Sequence, residues 1–208
     1  MGRLKEFDQD KAIDGAVACF WVRGYEATSV RDLARHMGIG GASLYNAYGG
    51  KRALFLGSLE RYSKLVVPQK LGELDRPGAS LAEVRAYLDG LVQDLLSPEG
   101  RQGCLLVNSA IELAAHDDTV AAVVRGHHAR LERCFTDALS TAIERHEVAA
   151  AVDPVGAARA LVATSQGLMV VGKANPDAEL LRAIVDNAFA RLNRSYRNHH
   201  ARHGHLYP

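Results

Sequence analysis

Residues Thr28–Phe55, TSVRDLARHMGIGGASLYNAYGGKRALF, decide the fold of this chain. Ser29 stands three positions before Asp32, the spacing of a capping box, in which the hydroxyl accepts an otherwise unpaired amide of the first helical turn. Val30, Leu33, Ala34 and Met37 then recur at i, i+3, i+4 and i+7, so one helix face is buried, with Arg31 and Arg35 on the other side. Gly38 follows where a chain leaving a helix needs positive φ, and Ile39 supplies an apolar plug for a short corner. A second helix is expected over 41–48.

On that second helix, at about 100° per residue from a buried Leu44, Tyr48 lies beside Leu44 and faces inward. Ala42 and Asn46 fall nearly opposite, at roughly 160° and 200°, with Ser43 and Tyr45 on the flanks. Small residues on the outward face let a helix backbone sink into the major groove of DNA. An Asn there can pair bidentately with adenine, and an Ala can touch a thymine methyl. Ser43 and Tyr45 suit phosphate contacts. Gly49 and Gly50 end the helix, and Lys51 opens the next one, where free amides and a cation can hold a phosphate.

The pattern from Phe20 onward, F-W-x-x-G-Y-x-x-T-S-V-x-x-L-A-x-x-x-G-I and then S-L-Y-N-A-Y-G-G-K-x-A-L-F, resembles the TetR family of bacterial transcriptional repressors. The motif match spans about the first 65 residues; the remainder is similar in length and helical layout. The resemblance implies an all-α homodimer with an N-terminal three-helix DNA-binding domain and a larger C-terminal domain that binds an inducer and dimerises. It also implies that Thr28, Ser43, Tyr45 and Lys51 contact phosphate and that Ala42 and Asn46 face bases, with Ser29 counted among the DNA-binding residues. One departure stands out: where the family has a polar or basic residue at the start of the recognition helix, this chain has Gly40 and Gly41, which removes one contact.

Composition agrees. The chain has 208 residues, 48% of them hydrophobic, enough for one large domain or a small and a medium one. Its net charge is only +1, but residues 1–64 hold 10 Lys/Arg against 7 Asp/Glu, so the positive balance lies with the motif. No run of 18 apolar residues and no leader-like N-terminus occurs, so a cytoplasmic location and no membrane partner are expected. Cys19, Cys104 and Cys134 are too few and too widely spaced for a disulfide framework or a zinc site. Neither a G-x-G-x-x-G spacing nor a hydrolase or metalloprotease motif is present, and neither enzymatic activity nor a cofactor is expected.

Punctuation divides the chain into a helix-turn-helix domain at 1–50, a connecting helix at 51–66, and a ligand-binding and dimerisation domain at 67–208. The breaker-rich stretch from Pro68 to Ser80 is expected to include a linker. Further helices are expected near 81–96, 104–115, 119–147, 155–173 and 178–195, ending in a flexible His-rich tail near 196–208. Asp153 before Pro154 is a cap followed by a first-turn proline. His127, His128 and the tail histidines are of a kind that binds transition metals, but a basic tail needs none, and no metal site is assigned.

Two apolar stripes in the last helices carry the dimer expectation. One contains Leu161, Ser165, Leu168 and small neighbours, the other Ile184, Ala188 and Leu192. Periodicity alone favours an intramolecular core; the resemblance favours a four-helix interface between subunits. The helix near 104–115 places Cys104, Asn108, Ile111 and Ala115 on one face with Glu112 beside it. With Met169, these residues are the candidates for the inducer pocket or sensor. Two readings stay open for them. The polar groups can be ordinary core residues, with Cys104 a small hydrophobe and Glu112 paired with an arginine. Alternatively Cys104, near a helix N-terminus, is a lowered-pKa thiol that senses electrophiles, as some family members with Gly-Cys at this place do. The function expected is a ligand-responsive repressor released from a palindromic DNA operator by a small molecule or an electrophile. The alternative is a helical binding module of the same fold with weak or no specific DNA binding.

Overall fold

A computed structural model describes the backbone of residues 8–203 and the side chains of residues 8–192 except residue 99. Among the described residues there are nine α-helices and no strand. They are α1 (Gln9–Arg23), α2 (Val30–Met37), α3 (Gly41–Tyr48), α4 (Lys51–Leu71), α5 (Leu81–Leu96), α6 (Leu105–Leu113), α7 (Asp118–Glu144), α8 (Pro154–Ala174) and α9 (Ala178–His203). The helix starts follow the chemistry in the sequence. Asp8 accepts from the amides of Asp10 and Lys11 to begin α1, and Asp153 accepts from those of Val155 and Gly156, each at 3.1 Å, ahead of Pro154.

Two boundaries differ from the sequence expectation. Helix α4 continues through Pro68 to Leu71 and runs into a 3₁₀ turn at Gly72–Asp75. A proline inside a helix leaves the carbonyl four residues earlier without its amide; that residue is Lys64, which is exposed, so water can serve the orphaned group. Helix α9 extends through His203, so the backbone of 196–203 is helical where a flexible tail was expected. The side chains of that stretch, and residues 204–208 with His205, lie outside the described residues.

The chain forms two compact units, Met1–Val67 with Cys104–Arg125 and Pro68–Gly103 with Gly126–Pro208. In the first, Phe20, Leu33, Leu44, Leu54, Phe55 and Leu59 are buried. An aromatic cluster joins α1 to α4: Phe20 meets Phe55 edge to face at 4.9 Å, and Trp21 meets Tyr62 in the same manner at 5.0 Å. Arg61 of α4 reaches Asp14 at 2.6 Å and Asp10 at 2.8 Å on α1.

In the second unit α5, α8 and α9 pack together. The residues expected at the dimer interface divide between the core of this unit and an open groove, which Leu161, Ile184, Ala188 and Leu192 border. Leu161, Ser165, Leu168 and Leu192 are all buried within the chain, at 3%, 1%, 0% and 6% exposure, and Ile184 and Ala188 are half-buried. Amphipathic periodicity marks a face that must be covered without saying by what, and here the covering is largely intramolecular. A second stripe on α8 remains open: Ala160, Ala163, Gly167 and Val170, spaced by three and four residues, are exposed.

Candidate nucleic-acid interface

The capping box at the start of α2 is complete. Ser29 Oγ accepts from the Asp32 amide at 3.1 Å, and the Asp32 carboxylate accepts from the Ser29 amide at 3.2 Å and its hydroxyl at 2.6 Å. These Ser29 bonds, with Arg23 and Arg35 nearby, hold the Asp32 carboxyl below the usual carboxylate range. Leu33 and Met37 are buried, and Gly38 turns the chain at φ 67°. Helix α3 begins at Gly40, which has no side chain with which to cap it, and ends at Gly49, whose amide donates to the Tyr45 carbonyl at 2.9 Å.

Helix α3 is seated as the angular reading requires. Leu44 is fully buried, and the Tyr48 hydroxyl donates to the Gln9 carbonyl on α1 at 3.3 Å. On the opposite side Ala42 and Asn46 are exposed, Ser43 is half-buried, and Tyr45 is 56% exposed. A Cβ added at Gly41 would meet nothing within 4 Å. The fold itself therefore does not require glycine there.

Thr28 is a correction. It is 1% exposed, and its hydroxyl donates to the Gly24 carbonyl at 2.6 Å, so it shapes the α1–α2 corner and is not an open phosphate donor. Ser29 is exposed, but its hydroxyl is engaged by Asp32. Lys51 is half-buried; its ammonium lies 4.2 Å over the Tyr25 ring and donates to the Glu26 carbonyl at 3.5 Å.

The residues expected to form a ligand pocket divide between the two units, with Cys104, Asn108 and Glu112 in the first and Met169 in the second. Ile111, placed on the same face as Cys104 and Asn108, is 68% exposed. Asn108 is half-buried on α6 and Met169 half-buried on α8. Cys104 is 7% exposed at the N-cap of α6. Burial pushes its thiol pKa up, against hydrogen bonds from the Val107 and Leu106 amides and from Tyr62 that pull it down. Desolvation outweighs those hydrogen bonds, so the thiol is raised where the sensor reading expects it lowered. Cys19 and Cys134 are likewise buried and raised, Cys134 to about 12 by burial and by the neighbouring Asp75.

Glu112 is corrected most sharply. Among the described residues it forms no ion pair with an arginine: Oε2 accepts from the Tyr25 amide at 2.9 Å and Oε1 from the Glu26 amide at 2.8 Å. Beside it Arg52, in the first turn of α4, makes a two-pronged ion pair with Asp117 and reaches the Thr119 hydroxyl at 3.4 Å. Sequence reasoning assigned no role to Tyr25, Arg52 or Asp117, whose contacts span 65 to 87 residues and leave no periodic trace. In the second unit His127 on α7 is buried, with no partner for Nδ1; burial lowers its pKa to about 4. No cluster of three metal-ligating residues occurs among the described residues.

A capped helix, a tight glycine corner and a second helix anchored from beneath, with an open outer face of small and polar residues, define a helix-turn-helix DNA-binding protein. Residues 12–57 match the family model for bacterial regulatory proteins of the tetR family, and residues 80–193 match that for the tetracyclin repressor-like C-terminal domain. The chain is 33% identical to an uncharacterised HTH-type transcriptional regulator of Bacillus subtilis, YezE, over 93% of this chain and all of that protein. It is 29% identical to the HTH-type transcriptional repressor ComR of Escherichia coli, over 88% of each. Among solved structures it is similar to a cysteine-substituted CifR bound to 26-base-pair operator DNA, with 30% identity, a TM-score of 0.78, and coverage of 90% of this chain and 97% of that one. The chain belongs to the TetR family: it is a DNA-binding transcriptional regulator and not an enzyme.

Proposed function

We propose that this regulator is a cytoplasmic repressor that binds a palindromic operator as a homodimer and releases it when a small-molecule inducer occupies the second unit. The observation that carries the DNA reading is the outward face of α3, where Ala42 and Asn46 stand exposed while Leu44 and Tyr48 hold the helix from below. Ala42 and Asn46 take the base-facing roles, and Ser43, Tyr45, Lys51 and the exposed Arg31 the phosphate contacts. Ser29 contributes through the capped start of α2. CifR, bound to a 26-base-pair duplex, supports an operator of similar length, with two recognition helices meeting major grooves about 34 Å or more apart.

The open stripe of α8 supports the dimer. The helix is long and apolar enough to cross a membrane on length and composition alone, yet its other face is packed inside the second unit. The exposed Ala160, Ala163 and Gly167, followed by the apolar Val170, allow the close helix approach that a second copy of α8 would make. Ile184 and Ala188, half-buried on α9, border a groove of about 570 Å³ beside it. For the inducer, the supporting observation is His127. An unpartnered buried nitrogen costs about 1–3 kcal/mol, a cost that a hydrogen-bond donor on a ligand would offset.

The test is binding to the duplex upstream of the chain's own gene, titrated over salt. A sequence preference over random duplex, with affinity falling as salt rises, is expected. Equal affinity for random duplex would sink the repressor reading.

A further inference from the structure

We infer that Glu112 is a positioning residue for DNA binding: its carboxylate clamps the α1–α2 corner and so sets the pitch at which α2 and α3 are presented. The inference rests on the DNA reading above.

The corner is built to receive an anion. Consecutive amides of Tyr25 and Glu26 point at the two carboxylate oxygens, at 2.9 and 2.8 Å, an arrangement of successive N–H groups that forms a small anion-binding cradle. Gly24 enters it at φ 76°, and a Cβ there would lie 2.8 Å from Glu112 Oε2. A side chain at this position would be strained by the backbone and would push the Glu112 carboxylate out of its place. The far side of the corner is closed by the Thr28 hydroxyl on the Gly24 carbonyl and the Thr28 amide on the Tyr25 carbonyl. The next residue is Ser29, the cap of α2.

The same corner holds the exit of the motif. Lys51, the first residue of α4, sits on the Tyr25 ring and the Glu26 carbonyl, and its neighbour Arg52 is gripped by Asp117 and Thr119. The helix-turn-helix between Ser29 and Gly50 is thus tied at its entrance by Glu112 of α6 and at its exit by the start of α7. Charge-assisted bonds of this kind are short and directional. A displacement of α6 must either break both Glu112 bonds or carry the entrance of α2 with it. Glu112 touches no surface that α3 offers to DNA, so its influence on binding acts through the corner.

The experiment compares wild type, Glu112→Ala and Glu112→Gln on the upstream duplex and on random duplex, with amide hydrogen exchange followed by NMR. A sequence preference in the wild type tests the DNA reading; only differences between wild type and variants bear on Glu112. Glu112→Ala is expected to lose about tenfold or more in specific affinity, as removal of two bonds to a charged acceptor permits. Affinity for random duplex should stay within about twofold, because phosphate contacts dominate it. Exchange at Tyr25 and Glu26 should accelerate. Glu112→Gln, which keeps one oxygen acceptor, should fall between, and it decides the matter if the alanine variant fails to fold. Unchanged specific affinity in folded variants overturns the inference, as does an equal loss on both duplexes, which would report a loosened domain and no positioning. Should wild type show no sequence preference, unchanged exchange at Tyr25 and Glu26 in Glu112→Gln still overturns the clamp.

Discussion

Helices α3 and α8 each leave a face rich in small residues uncovered, and on the proposed reading one geometry would serve two partners, DNA at α3 and a second copy of the chain at α8. On α3 the open face mixes Ala42 with Ser43, Tyr45 and Asn46; on α8 it is Ala160, Ala163, Gly167 and Val170, with no polar side chain among them. In both cases small side chains allow a backbone to come close. What the face can then do depends on the polar atoms it carries: donors and acceptors read base edges, whereas their absence suits another copy of the same helix.

The comparison breaks most visibly on α8. Gly167→Glu would bury an unpaired carboxylate against a second copy, so sedimentation should show a monomer. Operator affinity should drop at least about a hundredfold, since two half-sites are no longer read together. A dimer that survives this change would place the subunit interface elsewhere.

On α3 the corresponding test is Asn46→Ala. It removes a bidentate contact worth about 1–3 kcal/mol at one base position while leaving Leu44 and Tyr48 in place. A binding-site selection should show relaxed preference at one position of each half-site with the rest intact; uniform weakening across all sequences would demote Asn46 to a backbone contact.

The two units also differ in their response to acid. His127 lies in the unit that carries α8, and its folded pKa of about 4 is below the ordinary 6.5. The unfolded chain takes up a proton below pH 6.5 that the folded imidazole refuses. The associated stability is therefore complete above that value and is lost progressively as pH falls towards 4, amounting to about 2 kcal/mol at pH 5. Denaturant melts at pH 7 and 5 should show the loss, and His127→Phe should flatten it; an unaltered slope would mean that another group titrates.

The smallest expected effect concerns the glycines before α3. Because a Cβ at Gly41 meets nothing within 4 Å, Gly41→Lys should fold normally. It should tighten binding by up to about 1 kcal/mol per subunit and steepen the salt dependence by roughly one unit. Weaker binding would mean that the duplex backbone approaches too closely there for any side chain.

These faces were unequally legible in the sequence. The capping box at Ser29, the positive φ at Gly38 and the seating of Leu44 and Tyr48 depend on neighbours within a few positions, so local chemistry was enough to find them. On α8 the period marked Leu161, Ser165 and Leu168 as a stripe to be covered, but α5 and α9 pack against this helix, and the small residues on its open side are too short to register as an apolar stripe. Thr28 failed as a phosphate contact because burial cannot be read from a hydroxyl's position in a motif. Glu112 failed because its partners are backbone amides 86 and 87 residues away, and amides have no sequence signature. Pro68 reads as a breaker, yet a helix tolerates it where water reaches the orphaned carbonyl.

The edge contact between Trp21 and Tyr62 has a spectroscopic consequence. Trp21 is the chain's single tryptophan, and Tyr62 is hydrogen-bonded to the Cys104 thiol at the head of α6. One intrinsic fluorophore thus stands where α1, α4 and α6 meet, and its emission reports on that junction without any label. Candidate inducers can be screened by the colour and intensity of light from an indole that the protein already contains.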